Sequence, residues 1–396
     1  MAWVPRMCLS PSCARLPRAR AFGTAGGQAL TLLQVRRRVA RLDALHRSLT
    51  WPPLQRFVSE GTVYELPMRA TSVEPGEVPE KALQYLVGFF DGHGCLGCRR
   101  DGVVYLSATQ SSTRPEALLR LFSTFGGGVY AQGRGKGSRA PSLQWAASGE
   151  AAARVAEAML RVPSLKRQQL ELVAASRFSK VSHVAICEKL RQLRAEPAFM
   201  PGGCTWPYFA GFFDAVGSVL VGPQSASLTL QLNQRHPGVL WFLRSFVASE
   251  LPGCRCQVRQ YARLHRMIVS DSADCLQLLS RLLAAGLAVK RQVAEVELTL
   301  TPSNHMDVRS RLSALARSRS RHLPLDEQGC RRAAEIKRLH DKLARLRSSS
   351  DCAELEEQLG ALRLEHELAR SEQRARELRK EIRSLLRQGA SRSAKK

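Results

Sequence analysis

The chain has 396 residues, 44% of them hydrophobic, and sets 60 Lys and Arg against 34 Asp and Glu for a formal net charge of +26. That length and apolar share suffice for two packed domains with extensions, which excludes a chain disordered from end to end. The charge points to a polyanionic partner, nucleic acid ahead of a membrane surface, and no apolar run reaches the roughly 18 residues that span a bilayer. Residues 1–42 contain no acidic residue, while Arg6, Arg15, Arg18, Arg20, Arg36, Arg37, Arg38 and Arg41 punctuate Ala, Ser and Leu. This is the composition of an organellar transit peptide, so 1–50 reads as a transit peptide or basic arm. The mitochondrion is the expected location, with plastid and nucleus as alternatives. Pro52, Pro53, Pro67, Pro75 and Pro79 make 51–80 an irregular connector.

The stretch Leu86-Val87-Gly88-Phe89-Phe90-Asp91-Gly92-His93-Gly94 recurs 123 residues later as Phe209-Ala210-Gly211-Phe212-Phe213-Asp214-Ala215-Val216-Gly217. Gly88 and Gly92 share one helix face, as do Gly211 and Ala215, and such bare faces let two backbones approach closely. The phenylalanine pairs then turn into the core of their own half, and Gly94 and Gly217 end the helices.

The first copy opens a repeat over 81–180. A hairpin is expected over 95–100 and 103–110 about Asp101-Gly102, then a helix after Pro115 that ends in Gly126-Gly127-Gly128. A second hairpin follows over 129–134 and 142–147, around a flexible basic tip at 133–139. Helices over 150–160 and 165–178 close the unit, an α+β half on one four-stranded sheet. Residues 181–204 read as a helix and linker. The second repeat, 205–302, returns the same order, and Leu228, Leu230 and Leu232 alternate with Thr229, Gln231 and Asn233 as in a strand with one buried face. Leu165-Lys166-Arg167-Gln168 matches Val289-Lys290-Arg291-Gln292, and Gln110 falls opposite Asn233 at the motif offset.

On these residues the chain from about Tyr85 to Leu300 resembles a single-chain LAGLIDADG homing endonuclease. The resemblance implies an α+β fold of two αββαββα halves whose motif helices pack on a pseudo-twofold axis, with saddle-shaped sheets over nucleic acid. Gly88, Asp91, Gly92, Gly94, Gly211, Asp214, Ala215, Val216 and Gly217 are then the structural motif positions. Sheet-borne Arg, Lys, Gln and Asn would read base edges. The candidates are Arg99, Arg100, Arg134, Lys136 and Arg139 in the first half, and Gln231, Arg255, Gln257, Arg259 and Arg263 in the second.

The catalytic pattern breaks at the eighth motif position, where that family carries the two acids that hold divalent metal. His93 and Val216 stand there, and Mg²⁺ requires oxygen ligands. Asp91 and Asp214 lie two residues early, turned about 200° round the helix. Lys166, Lys290, Gln110 and Asn233 match the family's active-site lysines and polar neighbours, and with His93 they complete the candidate catalytic set. The expectation is impaired cleavage with no cofactor required for binding, and Mg²⁺ only if the chain is an active endonuclease. His93, Cys95 and Cys98 have zinc-like spacing, but a fourth ligand is missing and residues three apart on a strand face opposite ways, so no metal site is assigned.

Residues 303–330 read as a linker and 331–388 as a coiled coil or long helix. Ile336, Leu339, Leu343 and Leu346 keep a 3-4-3 rhythm, as do Leu355, Leu359 and Leu362, then Leu378, Ile382 and Leu385. Those rows offer a seam for a homodimer or a partner helix, and 389–396 is a basic tail. Taken together, the expected function is organellar nucleic-acid binding, of DNA or RNA, in RNA processing, maturase-type splicing or DNA binding without cutting. An active DNA endonuclease is the first alternative and a coiled-coil assembly factor the second.

Overall fold

The structure is a computed structural model that describes residues 31–70, 78–176, 183–195, 202–222, 225–316, 325–346 and 352–392. The Arg-rich residues before 31 and the Ser348–350 interruption lie outside the described residues. Helix α1 (Leu32–Ser48) begins at Thr31, whose hydroxyl accepts from the Gln34 amide while Gln34 returns a bond to the Thr31 N–H, a reciprocal cap. The strands β1 (Leu49–Thr50), β2 (Arg56–Ser59), β3 (Thr62–Glu65) and β4 (Met68–Ala70) follow. The proline-rich connector is therefore not irregular throughout: its prolines fall outside β2 and β3, which pair as a hairpin, and β4 joins the first sheet.

The first half runs α2 (Glu80–His93), β5 (Gly94–Cys98), β6 (Val104–Ser111), α3 (Glu116–Phe125), β7 (Gly127–Gly133), β8 (Ser142–Ser148), α4 (Glu150–Met159) and α5 (Arg167–Ala175). Its sheet is antiparallel in the order β4-β7-β8-β6-β5, five strands rather than the four expected, because the connector adds an edge. Helix α6 (His183–Ala195) leads to the second half: α7 (Trp206–Val216), β9 (Gly217–Val221), β10 (Leu228–Gln234), α8 (Gly238–Glu250), β11 (Cys256–Tyr261), β12 (Leu264–Val269), α9 (Ser272–Ala284) and α10 (Arg291–Glu297). Its four strands are ordered β11-β12-β10-β9. The architecture is a duplicated α+β fold in which each half runs αββαββα.

Each sheet buries one face. Leu106, Ala108, Val129, Leu143 and Trp145 meet the first half's helices, and Leu228, Leu230, Leu232, Met267 and Val269 meet the second's. Phe89, Phe90, Phe212 and Phe213 are wholly buried, as the repeat predicted. Gly94 and Gly217 end their helices for a different reason from a left-handed cap. Both are extended, at φ −75° and −73°, and a Cβ on either would sit 2.3 Å from the ring of Phe90 or Phe213. Glycine is required there by the phenylalanine four residues back.

The 303–330 stretch contains α11 (His305–Ala316), packed on α10. Beyond it, α12 (Glu327–Arg345) and α13 (Cys352–Arg387) fold against each other, with Leu339 packed on Leu355 and Leu359 and bordered by Ile336, Leu343, Leu346 and Leu362. The far end of α13 presents Ile382 and Leu385 to Leu42, Leu45, Leu49 and Trp51. A final strand, β13 (Ser391–Arg392), pairs with β1. The leucine rows that the sequence offers to a second chain are thus used within this one, and part of the expected transit segment, α1, is folded against α13.

Candidate nucleic-acid interface

The two halves meet through backbone. A Cβ on Gly88 would lie 2.0 Å from the Tyr208 carbonyl oxygen, and one on Gly211 would lie 1.9 Å from that of Tyr85. Only glycine permits this approach. Two symmetric latches flank it: the Tyr85 hydroxyl donates to Asp214 Oδ2 at 2.8 Å, and the Tyr208 hydroxyl donates to Asp91 Oδ2 at 2.8 Å. Asp91 also accepts from Ser164 Oγ and the Leu165 amide, both at 2.7 Å. Asp214 accepts the amides of Ala288, Val289 and Lys290 at 2.7, 3.1 and 2.9 Å. Burial raises the Asp91 pKa, against the opposing charge of Lys166. Both carboxylates are buried and engaged. The tyrosines were overlooked in the sequence although they repeat at the motif's own offset, one residue before each copy.

At the helix ends, Lys166 Nζ donates to the carbonyls of Phe90 and Asp91 at 2.7 and 2.6 Å. Lys290 Nζ donates to Phe213 O at 2.9 Å and to Asp214 O. The two lysines therefore cap the C-terminal carbonyls of α2 and α7, where the helix dipole favours cations. Burial lowers the pKa of Lys166, partly countered by Asp91. His93, the last residue of α2, sits edge-on to Phe89 with ring centroids 5.8 Å apart. Surrounding protein, then the charges of Lys290 and Lys166, push its imidazole down to about 4, so it is neutral at pH 7.

This donor set does not fit Mg²⁺. Of the two positions that would face the ion, one offers an imidazole nitrogen and the other, Val216, only methyl groups, with two ammonium groups alongside. Among the described residues no cluster of three or more His, Cys, Asp or Glu side chains could hold a metal.

Gln110 and Asn233 are not equivalents. Gly94 pairs with Ala108, but Gly217 pairs with Leu232, so the second hairpin is one residue longer. Asn233 therefore matches Thr109, and Gln110 matches Gln234. A one-residue slip exchanges faces: Gln110 falls in the row of Leu106 and Ala108, while Asn233 falls on the open face of its sheet.

That open face carries Gln231, Asn233, Gln257 and Arg259, together with Arg266, which is not among the sequence candidates. Arg266 stands across the ladder from both Asn233 and Arg259. It donates to Asn233 Oδ1 at 2.7 Å and lies over the Tyr261 ring, 4.6 Å from its centroid. The alternation of Leu264, Arg266 and Ile268 was the available signal. Arg255 is engaged elsewhere, paired with Asp271 and Asp274 at the start of α9, and Arg263 occupies the turn after Ala262, whose φ is +52°.

In the first half no candidate cation stands on the sheet face. Arg99 and Arg100 lie in the β5–β6 turn, exposed. Arg134, Lys136 and Arg139 are exposed on the β7–β8 connection, which is pinned rather than flexible. The Trp51 amide donates to Gly135 O at 2.9 Å, Trp51 Nε1 to Gly137 O at 2.8 Å, and the Gly137 amide to Leu49 O at 2.9 Å. The α1–α13 pair thus anchors the tip of the first sheet.

No family model matches this chain, and no curated relative does. Solved structures do resemble it. I-SmaMI bound to an uncleaved DNA target in the presence of calcium ions is 15% identical, with 59% of this chain aligned to 97% of that one at a TM-score of 0.42. The LAGLIDADG meganuclease I-CpaMI bound to uncleaved DNA is 11% identical over 60% of this chain and 99% of its own, at 0.42. The LAGLIDADG homing endonuclease I-GzeII in complex with its DNA target is 11% identical over 59% and 96%, at 0.41.

Proposed function

We propose that the chain binds nucleic acid along the open faces of its two sheets and does not hydrolyse it by metal-assisted chemistry. The observation that carries this is the floor between the halves. Two-metal hydrolysis needs oxygen ligands that clamp attacking and leaving oxygens. Here His93 and Val216 occupy those positions, and the nearby carboxylates of Asp91 and Asp214 are held by tyrosines and backbone amides. Lys166 and Lys290 leave the floor positive, which suits a phosphate held directly. The net charge of +26 and the exposed Arg259, Gln257 and neighbouring Arg266 suit backbone and base-edge contacts.

The Arg-rich first residues favour an organelle, the mitochondrion first, and a chain that binds without cutting suits RNA processing or splicing of maturase type. The test compares the unaltered protein with a His93→Asp, Val216→Asp double variant on randomised duplex DNA and on organellar RNA, with Mg²⁺ or EDTA. The unaltered protein is expected to bind equally in both and to cut neither, with any cleavage gained confined to the double variant and to Mg²⁺. Mg²⁺-dependent cutting by the unaltered protein would establish the endonuclease alternative. Salt-insensitive absence of binding to either polymer would favour the assembly-factor reading.

A further inference from the structure

The open faces of the two sheets differ in kind. On the second, Arg259, Arg266, Gln231 and Asn233 present donors and acceptors. On the first, the outward rows of β5 to β8 contain no Lys or Arg: they read Cys95 and Gly97, then Tyr105, Ser107, Thr109 and Ser111, then Gly128, Tyr130 and Gln132, then Ser142, Gln144, Ala146 and Ser148; Arg69, exposed on the edge strand β4 across from Gly128, is a cation at their margin. A face built for the duplex major groove carries cations and amides that reach base edges. Apart from Arg69 at its edge, this face has amides and hydroxyls, and two aromatic rings.

Both rings lie down on the sheet. A Cβ on Gly97, directly across the ladder from Tyr105, would meet the Tyr105 ring at 2.5 Å, and one on Gly128 would meet the Tyr130 hydroxyl at 2.4 Å. Each tyrosine therefore covers a glycine and is partly exposed. Tyr130 stands in register with Gln144 and Thr109, which sets it two strands across and four residues along from Tyr105, roughly 16 Å by ordinary strand spacings. Helices α3 and α4 pack on the opposite side of β6, β7 and β8. The cations nearest in sequence, Arg99, Arg100, Arg134 and Lys136, stand at the turns around this face. Neutral aromatic platforms within a cationic rim suit unpaired bases, whose π-faces stack on tyrosine while the phosphates remain outside.

We infer that the first sheet binds a single strand of nucleic acid and stacks two of its unpaired bases on Tyr105 and Tyr130. This rests on the nucleic-acid reading above. The test measures affinity for oligo(U), oligo(dT) and duplex DNA, with Tyr105→Leu, Tyr130→Leu, the stacking-competent Tyr105→Phe and Tyr130→Phe, and Arg266→Ala in the other sheet. Photocrosslinking to bromouridine-substituted RNA and bromodeoxyuridine-substituted DNA, mapped by mass spectrometry, follows each. Each Leu variant is expected to lose about tenfold in single-strand affinity, each Phe variant less than threefold, and duplex binding should not change. Crosslinks should fall on Tyr105 and Tyr130, and the tighter of oligo(U) and oligo(dT) identifies the strand as RNA or DNA. Single-strand affinity unchanged in both Leu variants, or no crosslink to either ring in the unaltered protein, overturns the inference while leaving nucleic-acid binding standing. Loss in the Phe variants equal to that in the Leu variants assigns the rings to the fold and also overturns it. Absence of binding to all three polymers removes both readings together.

Discussion

Glu297, on α10, is 2% exposed and its Oε2 has no hydrogen-bond partner among the described residues. Burial pushes its carboxyl from 4.5 up to about 8, against only the charge of Arg114. A raised pKa means that the folded chain holds this proton more tightly than the unfolded chain. Its contribution to stability is therefore full below pH 4.5, falls as pH rises toward 8, and stays lost above that. At about 1.4 kcal/mol per pH unit the fall totals at most about 5 kcal/mol. Glu297→Gln removes the ionisation and keeps the shape. Urea denaturation of both proteins at pH 4.5, 6.5 and 8.5 isolates this group, because the other titrating residues are common to both. The variant should be as stable as the parent or slightly less so at pH 4.5, and should gain steadily on it, by several kcal/mol at pH 8.5. A constant difference across that range would refute the argument that a buried carboxylate with one unpartnered oxygen is what burdens α10.

Three further outcomes follow from the seam and the sheets. Gly88→Ala places a methyl 2.0 Å from the Tyr208 carbonyl oxygen, and forcing the helices apart should cost about 3 kcal/mol or more by overpacking, visible as a lower thermal midpoint. Tyr85→Phe and Tyr208→Phe should each cost about 1.5–3 kcal/mol, since each removes a hydrogen bond to a buried carboxylate, with additive effects in a double variant if the latches act independently. Arg259→Ala and Arg266→Ala should each lessen the slope of log affinity against log salt by about one if each arginine meets one phosphate. An unchanged slope would place both residues off the bound polymer.

The duplication was legible because the signals that carry it are local and occur twice: the helix faces of Gly88 and Gly211 and the buried phenylalanine pairs. The equivalence of Gln110 with Asn233 failed for a reason that no local signal exposes. One extra residue in the second hairpin changes the register, and only the pairing of Gly217 with Leu232 shows it. The ion pair of Arg255 with Asp271, an N-cap sixteen residues away, was not legible, because the partner of an exposed arginine is set by tertiary structure. The basic tip at 133–139 looked mobile from its glycines. Gly135 and Gly137 instead make room for Trp51 and for the backbone of His46, contacts across more than eighty residues.

The seam is held by residues other than those at the ends of the two motif helices. In each half the carboxylate that organises the interface, Asp91 or Asp214, is two residues from the position that would hold metal and points to a different set of partners. The tyrosine latch, the amides ahead of α5 and α10, and the lysine caps on the helix carbonyls form one closed network that uses nothing from His93 or Val216. The hydrogen bonds that join the halves therefore do not depend on the eighth position, although Val216 still packs against α2 beside Gly92. The converse also holds: Asp214→Asn would place an amide before three backbone N–H donors and the Tyr85 hydroxyl, loosening the halves while leaving the floor's chemistry as it is. Stability and nucleic-acid affinity should fall together in that variant. In His93→Ala, where a neutral ring exposed to the groove is removed, stability should stay within about 0.5 kcal/mol of the parent.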